Sequence, residues 1–113
     1  MEILFRRSRE HKLCVHRKTA ARELGKPNAE KLEVRLATRA ASANLAQFRR
    51  EFPEARSHAL TGDWRGCFAV DLHGTWRLVF RPAHDPMPVT ADGGIALAAV
   101  TSIEIVEVVD YHG

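Results

Sequence analysis

Cys67-Phe68-Ala69-Val70-Asp71-Leu72-His73-Gly74-Thr75-Trp76-Arg77-Leu78-Val79-Phe80-Arg81 decides the fold. Two runs rich in apolar, β-branched and aromatic residues flank the dipeptide His73-Gly74, and that pattern predicts an antiparallel hairpin. In the second arm Trp76, Leu78 and Phe80 share one face, while Arg77, Val79 and Arg81 share the other. The aromatic face belongs inside, so the opposite face presents two arginines. Upstream, Arg56–Leu60 reads as another strand, connected through Thr61-Gly62-Asp63-Trp64-Arg65-Gly66. A three-stranded meander follows. Downstream, Pro82, Pro86, Pro88 and Asp92-Gly93-Gly94 mark 82–100 as a long loop, a class of segment that is usually functional or mobile. Thr101–Val109 is rich in β-branched residues and reads as the last strand.

The first half has a different texture. Residues 2–7 suggest a short opening strand, followed by a basic segment to Lys18. Thr19 suits the cap of a short helix through Leu24, with Gly25 and Pro27 as punctuation. The clearest helix is expected over 28–43, with Asn28 as N-cap and Ala29, Leu32, Leu36, Ala40 and Ala43 forming an apolar stripe. Beside it, Lys31, Arg35 and Arg39 fall at i, i+4 and i+8 and predict one basic stripe. Ser42-Ala43-Asn44 breaks the helix. A further helical piece over 45–51 turns Leu45 and Phe48 inward and ends before Pro53. Helices first and strands after imply an α+β fold. The expectation is a single domain over 1–113, its N-terminal helices packed on one face of a curved, mainly antiparallel sheet of four or five strands.

At 113 residues and 45% hydrophobic content the chain suits one globular domain with a modest core. No apolar run approaches a membrane span, and Met1-Glu2-Ile3-Leu4-Phe5 has an acid where a signal peptide carries bases. A soluble cytoplasmic protein is expected. Cys14 and Cys67 are far apart in sequence and read as reduced thiols. Residues 1–56 hold 14 Lys and Arg against 7 Asp and Glu, whereas 57–113 hold 3 against 7. A basic half is the footprint of a polyanion partner, and a solvated helical surface is its plainer reading.

The chain ends Asp110-Tyr111-His112-Gly113, three reactive side chains directly after an apolar strand. A polar tail is the plain interpretation. If the last strand joins the meander, however, His112 comes near His58 and Arg77. Two imidazoles, a carboxylate, a phenol and a guanidinium would then share one concave surface. Metal-free ribonuclease chemistry needs such a set. A base takes the ribose 2′-OH proton, an acid protonates the 5′ leaving oxygen, and a cation stabilises the phosphorane. Histidine suits both proton tasks. For Arg77 the competing reading is an ion pair with Asp71 or Glu104. His11, His16, His73 and His84 are read as structural or surface groups; His11 and His16 are five apart, which fits no helical metal pair, so no metal site and no cofactor is expected.

Three blocks carry a family resemblance. His58-Ala59-Leu60-Thr61-Gly62-Asp63-Trp64-Arg65-Gly66, then Trp76-Arg77-Leu78-Val79-Phe80, then Asp110-Tyr111-His112 resemble the signature of HigB-type toxins. These are the plasmid maintenance killer proteins of the RelE/ParE toxin–antitoxin superfamily. The resemblance runs from roughly Glu23 to His112. Thr61 stands where the family usually carries lysine, and Trp64 where it often carries a cation. The resemblance implies a RelE-like fold and a toxin that cleaves mRNA in the ribosomal A site without metal, arresting translation. It implies His58, Arg77, Asp110, Tyr111 and His112 as the catalytic set. Lys31, Arg35, Arg39, Arg65 and Arg81 are the candidate contacts to RNA and ribosome. The implied partners are a HigA-like helix-turn-helix antitoxin, the ribosome and mRNA, with operator DNA bound only through the antitoxin and no membrane. Two alternatives belong to other classes. One is a ParE-like inhibitor of DNA gyrase, a group that shares the fold but lacks the two histidines and the Asp-Tyr-His block; the other is a degenerate toxin that only binds its antitoxin.

Overall fold

A computed structural model describes residues 1–110. The meander forms as its alternation requires. Strand β2 (His58–Ala59) pairs antiparallel with β3 (Phe68–Asp71), β3 with β4 (Trp76–Pro82), and β4 with β5 (Ser102–Asp110). Gly74 at φ +64 makes the β3–β4 turn, a left-handed conformation that suits a residue without Cβ. The opening strand β1 (Glu2–Phe5) lies on the far side of β5 and runs parallel to it, giving the order β1-β5-β4-β3-β2. The fold is therefore α+β on a mixed five-stranded sheet. The β4–β5 register shifts between Val79 and Phe80, which leaves Val106 as an extra residue on β5.

Four helices precede the meander: α1 (Ser8–Val15), α2 (Arg17–Leu24), α3 (Lys26–Ala41) and α4 (Leu45–Glu51). They pack on one face of the sheet. Leu13, Leu24, Leu32, Leu45 and Phe48 form a single core with Phe68, Leu78, Phe80, Ile103, Ile105 and Val108. The opposite, open face carries a smaller apolar patch of Ala69, Val79 and Val106, flanked by Leu60, Trp64, Cys67 and Val109. Among the described residues no helix is long and apolar enough to cross a membrane.

Several boundaries differ from the sequence expectation. The basic segment before Lys18 folds as α1, because the Glu10 carboxylate is buried under Arg7 and Arg9, at 3.2 Å from the Arg7 Nε. α3 begins at Lys26, with Pro27 in its first turn, where the missing amide hydrogen costs nothing. Asn28 is thus not the N-cap. It is buried inside α3, donates to the Leu24 carbonyl and accepts the His73 amide at 2.9 Å, linking α3 to the β3–β4 turn. Asn44 caps α4 by accepting the Gln47 amide at 2.8 Å, while the Gln47 side chain accepts from the Ala43 amide. The segment 82–100 is pinned as well as long. The His84 ring accepts the Thr101 and Ser102 amides, Val89 bridges Ile95, and Val100 is buried and accepts the Leu45 amide.

The expected basic stripe of α3 does not exist as a surface. Lys31 is exposed, but Arg35 and Arg39 are buried. Arg39 lies between two aromatic rings, its guanidinium carbon 4.2 Å from the Phe48 centroid and 3.6 Å from that of Phe80. Its three nitrogens are buried without a hydrogen-bond partner among the described residues. Burial, with Arg35 nearby, pushes its pKa well down from the usual arginine range, to about 9. Arg35 donates from Nε to the Asp71 carbonyl at 3.1 Å and from Nη2 to that of Glu54. Two residues expected to touch RNA are instead interior parts of the fold.

Candidate active site on the open face of the sheet

Strand register places the functional side chains. His58 is opposite Ala69, and Ala69 is opposite Val79. Both neighbours belong to the open-face patch, so alternation puts His58 on that face. Asp71 and Arg77 are register partners on the same face, in the next row towards the β3–β4 turn. Two strand spacings and two residue rises separate His58 from Arg77, about 12 Å between Cα atoms. Both groups stand on one face of the sheet at that separation.

The contacts show how each group is held. His58 is exposed, and its Nδ1 lies 2.8 Å from the Arg56 carbonyl. A carbonyl only accepts, so Nδ1 carries a proton and donates in this contact, which leaves Nε2 as the ring nitrogen outside it. Arg56 makes this contact from a left-handed conformation at φ +53 and ψ +47. Such a backbone is costly for a residue with Cβ and tends to gather at functional sites. The Arg56 guanidinium also reaches Asp71 at 3.5 Å. Asp71 in turn holds Arg77 through an Nε–Oδ1 contact of 2.9 Å, with both side chains largely covered. Arg77 Nη1 donates to the Gly74 and Trp76 carbonyls at 3.1 and 2.8 Å. Arg35 supports the cluster from below, through the carbonyls of Asp71 and Glu54.

The other expected residues divide. Asp110 is opposite Trp76, whose ring packs into the helix-covered core. Alternation therefore puts the Asp110 side chain on the helix side at the end of β5, where it accepts from Thr75 Oγ1. It does not share the open face with His58 and Arg77. Arg81 is on the open face, paired with Glu104 at 2.6 Å. Arg65 is exposed in the β2–β3 connection, at the opposite end of the sheet from Arg77. Lys31 belongs to the helical layer. Tyr111 and His112 lie outside the described residues. Asp71 and Arg56 are the members that sequence reading did not place in the site, although the ion pair of Arg77 with Asp71, its competing reading, does form. The signal for Asp71 was its position across the hairpin from Arg77; Arg56 had none.

Neither thiol is poised to react. Burial, with Glu10 adding to it, raises Cys14 to about 12. Burial also raises Cys67, although Arg81 and Arg6 oppose the shift. Both cysteines are free and protonated. Compared with known proteins, the chain matches no family model and no curated protein.

Proposed function

We propose that this chain is a HigB-type toxin with a RelE-like fold, a ribosome-dependent mRNA endoribonuclease that works without metal. The carrying observation is the pairing of an oriented imidazole, His58, with a clamped guanidinium, Arg77, on the uncovered face of one sheet. The three sequence blocks of the toxin signature supply the rest of the reading.

These hydrogen bonds support the following reaction. Nε2 of His58 accepts the proton of a ribose 2′-OH. The freed oxygen forms a bond to phosphorus, and the bond from phosphorus to the 5′ oxygen breaks. Arg77 stabilises the charge that develops on the phosphorane, and Asp71 holds its planar group in place. The 5′ oxygen leaves with a proton from a second acid, the role that the resemblance assigns to His112. Products are a 2′,3′-cyclic phosphate and a 5′-OH. Tyr111, next in sequence to Asp110, supplies the aromatic ring expected to stack on a splayed base. Asp110 acts by fixing the end of β5 through Thr75. Arg65 and Arg81 remain surface contacts for RNA backbone, with Lys31 as an outlying one.

A HigA-like helix-turn-helix antitoxin is the expected inhibitor, and operator DNA is bound only through it. Induced expression in bacteria, with primer extension on cellular mRNA, tests the reading. Wild type arrests growth and leaves breaks within codons on translated messages; His58→Ala and Arg77→Ala do neither. Growth arrest with intact mRNA and trapped gyrase–DNA breaks would instead assign the ParE-like activity.

A further inference from the structure

We propose that the outer edge of β1 is a docking site for an extended, acidic segment of another protein. The inference is independent of the open-face reading. β1 is the terminal strand on its side of the sheet. Glu2 and Arg6 donate their amides to the Thr101 and Ile105 carbonyls of the β5 segment. In a parallel pair alternate residues face the neighbour, so Ile3 and Phe5 turn their N–H and C=O groups outward. Those groups are a template for one more strand.

The edge is only four residues long, which is one defence, but it lacks the others. Its interior has no proline, no charge and no bulge. Leu4, which shares the open face with its register partner Glu104, is 43% exposed. A shallow groove runs along Ile3–Ser8, with His11 also in its lining. An incoming strand would set an apolar side chain on Leu4 and exchange main-chain hydrogen bonds with Ile3 and Phe5.

Charge identifies the occupant. Arg6, Arg7, Arg9 and Lys12 follow the strand directly. Arg7 and Arg9 share the buried Glu10, and Arg7 also approaches Glu107 at 3.9 Å. Arg6 and Lys12 have no ion pair among the described residues. Of these cations Arg6 and Arg7 line the groove, which is thus a strand template with surplus positive charge at its end. Nucleic acid would satisfy the cations and leave Leu4 and the peptide groups unused. A second copy would add only another four-residue strand and another set of cations. An acidic peptide with alternating apolar residues satisfies all three features.

The test uses the isotope-labelled full chain and a short capped peptide alternating valine with glutamate. Expected results are slowed hydrogen exchange at the Ile3 and Phe5 amides, shifted Leu4 methyl signals, and binding weakened roughly tenfold or more when lysine replaces glutamate in the peptide. Leu4→Ser and Arg6→Glu should each weaken binding about tenfold, with β5 amides still protected as proof of folding. Three results overturn the proposal: no binding of the acidic peptide or binding that leaves Ile3 and Phe5 unchanged, displacement of the peptide by oligouridine, or concentration-dependent protection of both amides in the free chain, which signals a second copy.

Discussion

Replacing Arg39 by methionine should stabilise the protein. The fall in its pKa from the usual arginine range to about 9 is a penalty on the charged form of about 5 kcal/mol, at about 1.4 kcal/mol per tenfold change in proton affinity. Two desolvated rings, Phe48 and Phe80, return about 2 kcal/mol each. The balance is a small net cost, and three donors remain buried without acceptors. Methionine keeps an unbranched stem between the rings, adds a sulfur–aromatic contact of about 1 kcal/mol, and removes the charge. Arg39→Met should therefore gain about 1–2 kcal/mol, within the range seen when buried ionic groups are replaced by apolar ones. With a urea m-value of about 2 kcal/mol/M, the unfolding midpoint rises by about 0.5–1 M. Arg39→Ala should lose about 1–3 kcal/mol, because a cavity opens between the rings. The pH sign follows from linkage. The folded value lies below the unfolded one, so the penalty is complete below about pH 9 and is relieved only as the pH rises above that. The difference between wild type and Arg39→Met should thus be flat across pH ~5–8. A loss of more than about 2 kcal/mol in Arg39→Met would refute the reasoning, since the guanidinium would then gain more inside the protein than desolvation takes.

Other predictions concern the supports of the site. Asn28→Ala strands the His73 amide and should cost about 1–3 kcal/mol in a denaturant titration. Arg56→Gly relieves a left-handed backbone and loses one exposed ion pair, so unfolding should be unchanged or harder by up to about 1 kcal/mol, while RNA cleavage falls as His58 loses its fixed carbonyl. Asp71→Asn should keep the fold and cut cleavage about 10- to 100-fold by loosening Arg77; Arg77→Lys should retain less activity than Asp71→Asn, since an ammonium cannot reproduce the planar contacts.

The meander and α4 were legible because their signals are local. Alternation at 67–81, the His73-Gly74 turn and the Ser42-Ala43-Asn44 break before α4 each act within a few residues. What was illegible depended on distant partners. α1 hid because a carboxylate, Glu10, takes an interior position that periodicity reserves for apolar residues. Arg35 and Arg39 carried the spacing of a surface stripe, and only the aromatic rings of Phe48 and Phe80, brought from other elements, make an interior place for Arg39. Parallel pairing of β1 with β5 joins opposite ends of the chain and leaves no turn to read. In the candidate site, alternation along β4 correctly put Arg77 on the uncovered face. The one-residue phase of Asp110, opposite Trp76 rather than Arg77, required the register.

The central claim is that His58 and Arg77 act on a single phosphodiester through its neighbouring 2′-OH. The most direct measurement is the end-group chemistry of mRNA cut by the purified chain on programmed ribosomes. The account predicts 2′,3′-cyclic phosphate and 5′-OH ends, and no cut when a 2′-deoxy residue occupies the cleavage position. Ends bearing 5′-phosphate, or undiminished cutting of the 2′-deoxy message, would contradict it.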